Sequence, residues 1–144
     1  FVVKNSLEAL ALYERIFEVE RLEVNHFPAG TNEVVFSLYG TRIHLLDENP
    51  DYQLLGPREG QPQPMWLNVM VPDIEKAYRN ATEAGCEPVQ PVNYMEAMGV
   101  SNAMFKDPFG YVWLLHQMHR VVSHEERVRI LEEQFGVQEE PGQE

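Results

Sequence analysis

Apolar and polar positions along the chain change period several times, and the changes fall into two similar halves. Phe1–Lys4 reads as the end of a strand. Asn5 is a good helix N-cap with Glu8 at the capping-box position, and Leu7, Leu10, Tyr13 and Phe17 follow at near-helical spacing. Val19–Phe27 predicts a strand closed by the turn Pro28-Ala29-Gly30. Glu33–Leu38 and Thr41–Leu46 predict two more around Tyr39-Gly40, so residues 1–48 read β-α-β-β-β. Residues 49–64 hold four prolines among charged residues and read as a linker.

The order then repeats over residues 65–119. Met65–Val71 predicts a strand. Asp73 caps a helix through Ala84, with Ile74, Ala77, Tyr78 and Ala81 on one side and Gly85 just past its end. Glu87–Val92, Val100–Lys106 and Tyr111–Gln117 follow as strands. Val3-Lys4-Asn5 matches Val71-Pro72-Asp73, each entering a helix, which marks an internal duplication. Ser123-His124-Glu125-Glu126 opens a third helix with Val128, Leu131 and Phe135 as its apolar stripe, and the chain after Gly136 reads as disordered. The fold class is therefore α+β: two β-α-β-β-β modules and a C-terminal helix within residues 120–144.

Composition narrows the functional classes. The chain has 144 residues, 44% of them hydrophobic, enough for a core, with apolar runs far shorter than a membrane span. No signal peptide is visible, and a start at Phe1 rather than Met places the true beginning upstream. Cys86 is the one cysteine, which excludes an internal disulfide and predicts a reducing, cytoplasmic setting. It has no basic neighbour in sequence and reads as structural. A net charge of −12 and a pI near 4.8 argue against nucleic acid and anionic membranes as partners and would tolerate a cationic ligand.

Asp107-Pro108-Phe109-Gly110 lies between two apolar runs and is a tight turn with a mechanism. Asp starts it, Pro presets φ, and Gly tolerates positive φ. An Asp-Pro-x-Gly hairpin near the end of a duplicated β-α-β-β-β chain resembles the vicinal-oxygen-chelate superfamily of glyoxalases, extradiol dioxygenases and bleomycin-resistance proteins. The segment from Val121 through Glu133 resembles the tail of the PhnB-like members. The resemblance implies two small sheets joined into a curved, cup-like surface, a small-molecule ligand, and a homodimer in which two chains complete each cup.

It also implies where a metal would sit in metal-using relatives. One ligand position lies upstream of Phe1. The others match His44, Trp66 and Leu114, and Trp and Leu cannot coordinate a metal. The expectation is no metal and no cofactor.

Strand alternation then gives a pocket list. Arg42 and His44 face the cup from the fourth strand, Trp66, Asn68 and Met70 from the fifth, and Leu114 and His116 from the eighth. Trp66, replacing a ligand, is expected to fill or floor the cavity, or else to be core. Leu114 and Met70 read equally as core or dimer interface. His44 and His116 read as core histidines, binding groups or a general base. Asn68 orients a ligand or satisfies a backbone group, and Arg42 receives an anion or is a surface charge. Met95 and Met98 in the loop Tyr94–Gly99 form a lid or plug the core edge. The favoured function is binding of a small organic molecule in an apolar cup. The alternative is a lyase, isomerase or dioxygenase-type enzyme with a non-standard metal site or a His acid–base catalyst. A third reading is a structural domain whose cup is closed by side chains.

Overall fold

Two helices are started by the same device. Asn5 Oδ1 accepts from Glu8 N at 3.1 Å, and Asp73 Oδ1 accepts from Lys76 N at 3.1 Å, each satisfying a backbone donor that the helix itself cannot. In the computed structural model, which describes residues 1–137, these helices are α1 (Ser6–Ile16) and α2 (Ile74–Glu83). The strands are β1 (Val2–Val3), β2 (Val19–Val24), β3 (Glu33–Leu38) and β4 (Thr41–Asp47) in the first module, and β5 (Leu67–Met70), β6 (Glu87–Met95), β7 (Val100–Lys106) and β8 (Val112–Met118) in the second. A third helix, α3 (His124–Phe135), follows.

The sheets run β1-β4-β3-β2 and β5-β8-β7-β6, with the first pair of each parallel and the rest antiparallel. The duplication extends to register. Val3 pairs with Asp47, whose Oδ1 accepts from Ser6 N at 2.8 Å. In the second module Gln117, the next residue after the Met70–His116 pair, accepts from Ile74 N at 2.9 Å. Each fourth strand thus ends in a side chain that holds the start of its own module's helix.

Both modules share one core. Ala9, Leu10 and Tyr13 of α1 and Ile74, Ala77 and Ala81 of α2 are buried, and so are Phe36 and Leu45 of the first sheet and Phe105, Trp113 and Leu115 of the second. Tyr13 and Trp113 pack at 5.1 Å between ring centroids across the modules. The Asp107 turn ties this contact. Its Oδ1 accepts from Phe109 N and Tyr111 N, and its Oδ2 accepts from Tyr13 Oη at 2.7 Å and Trp113 Nε1 at 2.8 Å. Gly110 has φ +97, and a Cβ there would come 2.6 Å from Pro57, so the turn also seats the linker.

Several boundaries differ from the sequence reading. β2 ends at Val24 rather than Phe27, β5 starts at Leu67 rather than Met65, and β6 continues to Met95 rather than stopping at Val92. Pairing with β7 carries β6 past Pro91, through two register shifts that absorb the missing donors. The linker is structured: Pro50–Tyr52 form a 3₁₀ turn, and Arg58 pairs with Glu48 at 2.7 Å. The stripe Val128, Leu131, Phe135 on α3 is exposed rather than packed, and the main neighbour of this helix is the short turn Glu96–Met98 ahead of β7. Of the stretch read as disordered, 137–144, residues 138–144 lie outside the described residues.

Candidate functional site

Because Trp113 and Leu115 of β8 enter the shared core, Val112, Leu114 and His116 point out of the opposite face of the sheet. Leu45 and Asp47 do the same for β4, leaving Arg42, His44 and Leu46 outward. On β5, Leu67 and Val69 pack against the core, and Asn68 and Met70 are exposed on the outer face. The outer face of the second sheet carries a cavity of about 400 Å³. Asn68 and His116 form its polar floor. Met70, Met98, Val100 and Met118 supply apolar wall, and Arg120 and Arg127 complete it.

Burial lowers the His116 pKa, so its imidazole is neutral at neutral pH, with one nitrogen donating and the other accepting. The wall that holds Met98 is a pinned segment rather than a free lid. His119 N and Arg120 N donate to Gly99 O, and an Arg120 guanidinium nitrogen donates to Glu96 O at 3.0 Å and Ala97 O at 2.9 Å. Gly99 sits at φ +64, and a Cβ there would come 2.8 Å from Arg120 O. His119, just past β8, bonds Ser101 Oγ at 2.8 Å and meets Tyr94 edge-on at 5.0 Å.

Of the residues singled out from sequence, Asn68, Met70, Met98 and His116 therefore meet in one cavity. Leu114 shares their face of β8 without lining it. Arg42 and His44 are exposed on the other sheet, and His44 Nε2 lies 3.5 Å from Glu33 Oε2. His44 and His116 do not look into a common cavity of one chain, because each sheet turns its outer face away from the shared core.

Trp66 neither fills nor floors the cavity. It is 62% exposed, because the β5–β8 ladder begins only at the Leu67–Trp113 pair and nothing fixes the residue before it. A seam hollow of about 340 Å³ runs from Phe1 and Ile43 to Leu67 and shares Asn68 and Met70 with the cavity. Sequence reading missed Met118, Arg120 and Arg127, which lie at or beyond the end of β8.

Metal-using relatives would place a divalent ion on this face. Among the described residues no three His, Cys, Asp or Glu side chains converge. Of the carried-over positions, only His44 bears a donor, and its neighbour is Glu33. Two donors fall short of the roughly three protein ligands a catalytic ion needs, so the described donor set does not fit the group. Cys86 adds nothing here. It is buried, and burial followed by the nearby Asp107 carboxylate pushes its thiol up to about 12. No helix is long and apolar enough to cross a membrane among the described residues.

Solved structures share this architecture. TioX from Micromonospora sp. ML1 matches with a TM-score of 0.62 at 19% identity, over 83% of this chain and 94% of that one. The fosfomycin resistance protein FosX from Listeria monocytogenes, as an E126Q mutant complexed with Mn(II) and 1S,2S-dihydroxypropylphosphonic acid, matches with 0.64 at 16% identity, over 91% and 92%. A superfamily member from Sphaerobacter thermophilus DSM 20745 matches with 0.56 at 21% identity, over 81% and 91%. No curated protein matches the sequence. The family model described as Glyoxalase/Bleomycin resistance protein/Dioxygenase superfamily matches residues 1–115, most of the chain. With the duplicated modules, their register and the Asp107 hairpin, this match means that the chain belongs to the glyoxalase/bleomycin resistance protein/dioxygenase superfamily.

Proposed function

We propose that the protein binds a small organic molecule in an apolar cup and works without the metal site of its metal-using relatives. The observation that carries this is the cavity on the second sheet, methionine-walled with Asn68 and His116 as its floor. Apolar walls with a few convergent polar groups are the usual makeup of small-molecule sites, and methionines adapt to varied ligand shapes. FosX and TioX, similar in fold alone, leave the ligand itself open. The ligand contacts are Asn68, Met70, Met98 and His116 from one chain. A second copy's first sheet brings Arg42 and His44, and Leu114 and Trp66 meet the ligand where the two modules close. The protein is thus a homodimer, placed in the cytoplasm with its one thiol reduced, and falls among the PhnB-like members.

A thermal-shift screen of small organic molecules tests it. A ligand at a hundred times its Kd adds about 2.7 kcal/mol of stability, a shift of several degrees. His116→Ala should abolish the shift while leaving the unliganded protein folded. A screen without stabilising compounds, or a shift indifferent to His116, would overturn the reading. One observation favours a second reading, acid–base catalysis: Glu33 lies beside His44, as a carboxylate that orients a catalytic imidazole would. Turnover abolished by His44→Ala, with ligand binding kept, would favour it.

A further inference from the structure

The overall charge of −12 predicts tolerance of cations, yet the cavity has the opposite local character. Its lining holds Arg120, Arg127 and His116, and no acidic side chain. Arg127 is exposed and makes no ion pair among the described residues, whereas Arg21 and Arg58 are each bound to a glutamate at 2.7 Å. The sequence of α3 also gives Arg127 no carboxylate within reach along its own helix. Three and four residues away it meets Ser123, His124, Ile130 and Leu131, none of them acidic. Arg129, two residues on, has Glu125, Glu126, Glu132 and Glu133 at the same spacings, where helical ion pairs form. The helix thus surrounds Arg129 with carboxylates and gives Arg127 none of its own beside a methionine-walled hollow, and neither arginine forms an ion pair among the described residues.

Arg120 spends one guanidinium nitrogen on Glu96 O and Ala97 O, which fixes its position and leaves other N–H donors available. An arginine fork suits carboxylate, sulfonate or phosphonate oxygens.

We infer that the cavity takes an amphiphilic organic anion, its acidic head held at Arg127 and Arg120 and its apolar body laid against Met70, Met98 and Met118. The inference rests on the small-molecule reading above and names the chemical class of that ligand. In so acidic a molecule, this local cationic patch also selects against the cations that the rest of the surface attracts.

Two fluorescent probes with the same kind of aromatic body test it: anilinonaphthalene sulfonate, which is anionic, and phenylnaphthylamine, which is neutral. Both are titrated into the full chain and into Arg127→Gln and Arg129→Gln, with folding checked by circular dichroism. The expected result is tighter binding of the sulfonate, weakened roughly tenfold by Arg127→Gln and by added salt, as loss of a charge-assisted contact implies. Neutral-probe affinity should stay within about twofold in both variants. Equal binding of both probes, unmoved by Arg127→Gln, would overturn the anion inference and leave the cup as a neutral-ligand site. Equal losses in Arg127→Gln and Arg129→Gln would reduce the effect to bulk charge and also overturn it. Binding of neither probe would count against the anion inference and the small-molecule reading together.

Discussion

Asp47 and Asp107 are both buried carboxylates, and each closes a turn of the fold, yet their acidities are pushed in opposite directions. Burial raises both. At Asp47 it is outweighed by hydrogen bonds from Ser6 Oγ, Ser6 N, Asn32 N and Gly30 N, so the carboxyl stays below the usual carboxylate range. At Asp107 deeper burial wins over four such bonds and the pKa rises. The signs set the pH response. A depressed carboxylate contributes stability above its unfolded pKa, near 3.9, and loses it as pH falls through its folded value. Asp47→Asn should therefore cost about 1–3 kcal/mol at pH 7, because an amide cannot accept from all those donors. The gap between variant and wild type in thermal unfolding should narrow as pH falls below the usual carboxylate range and Asp47 itself protonates. A gap that stays constant down to full protonation of the carboxylates would count against this account. The turn role of Asp107 was legible in Asp-Pro-Phe-Gly because turn chemistry is local. Its bonds to Tyr13 and Trp113 were not, because the Tyr13 partner lies 94 residues away in sequence.

At the scale of elements, periodicity and caps located every helix and strand, since Asn5, Asp73 and Ser123 all accept from the backbone donor three residues on. What they could not locate is how the end of β6 and its following turn are held. That segment read as a lid or as a plug of the core edge, because methionines make adaptable apolar walls, but the hydrogen bonds pinning it come from His119 and Arg120, beyond β7 and β8 in the chain. Arg127 was overlooked for a similar reason: its signal is the missing glutamate at helical spacing, which matters only once α3 is seen beside the cavity. Gly99 is where this element is tested. Positive φ and the closeness of Arg120 leave no space for a side chain. Gly99→Ala should destabilise the fold by about 1–3 kcal/mol through strain and displaced contacts. It should also weaken anionic-probe binding by moving Arg120. An unchanged melting temperature would mean that the turn relaxes freely.

At the scale of the molecule, the shared core dictates what is left open. Because both modules turn their helices and inner faces toward the same interior, the outer faces of the two sheets look outward, and a cup lined by both outer faces would need a second chain. β1 and β5 pair on one side only and so present edges; Met70 (51%) is exposed on β5, and Met65 and Trp66 (62%) are exposed just before it. Isolated exposed apolar residues are ordinary, but several of them at an edge strand suit a contact surface. In the proposed homodimer two chains of net charge −12 would repel, so apolar burial would have to hold them together and salt should help by screening. Light scattering should give twice the 16.7 kDa chain mass at moderate salt, shifting toward the single chain as salt is removed. Trp66→Glu should give a folded monomer, because the ring has no place in the core and a glutamate there would be desolvated, unpaired, at the proposed interface. The same variant should bind ligand about ten- to a hundredfold more weakly, the worth of roughly 1–3 kcal/mol of ring burial. A 16.7 kDa species throughout the micromolar range, at any salt, would place the whole binding site within one chain and leave Trp66 an ordinary surface residue.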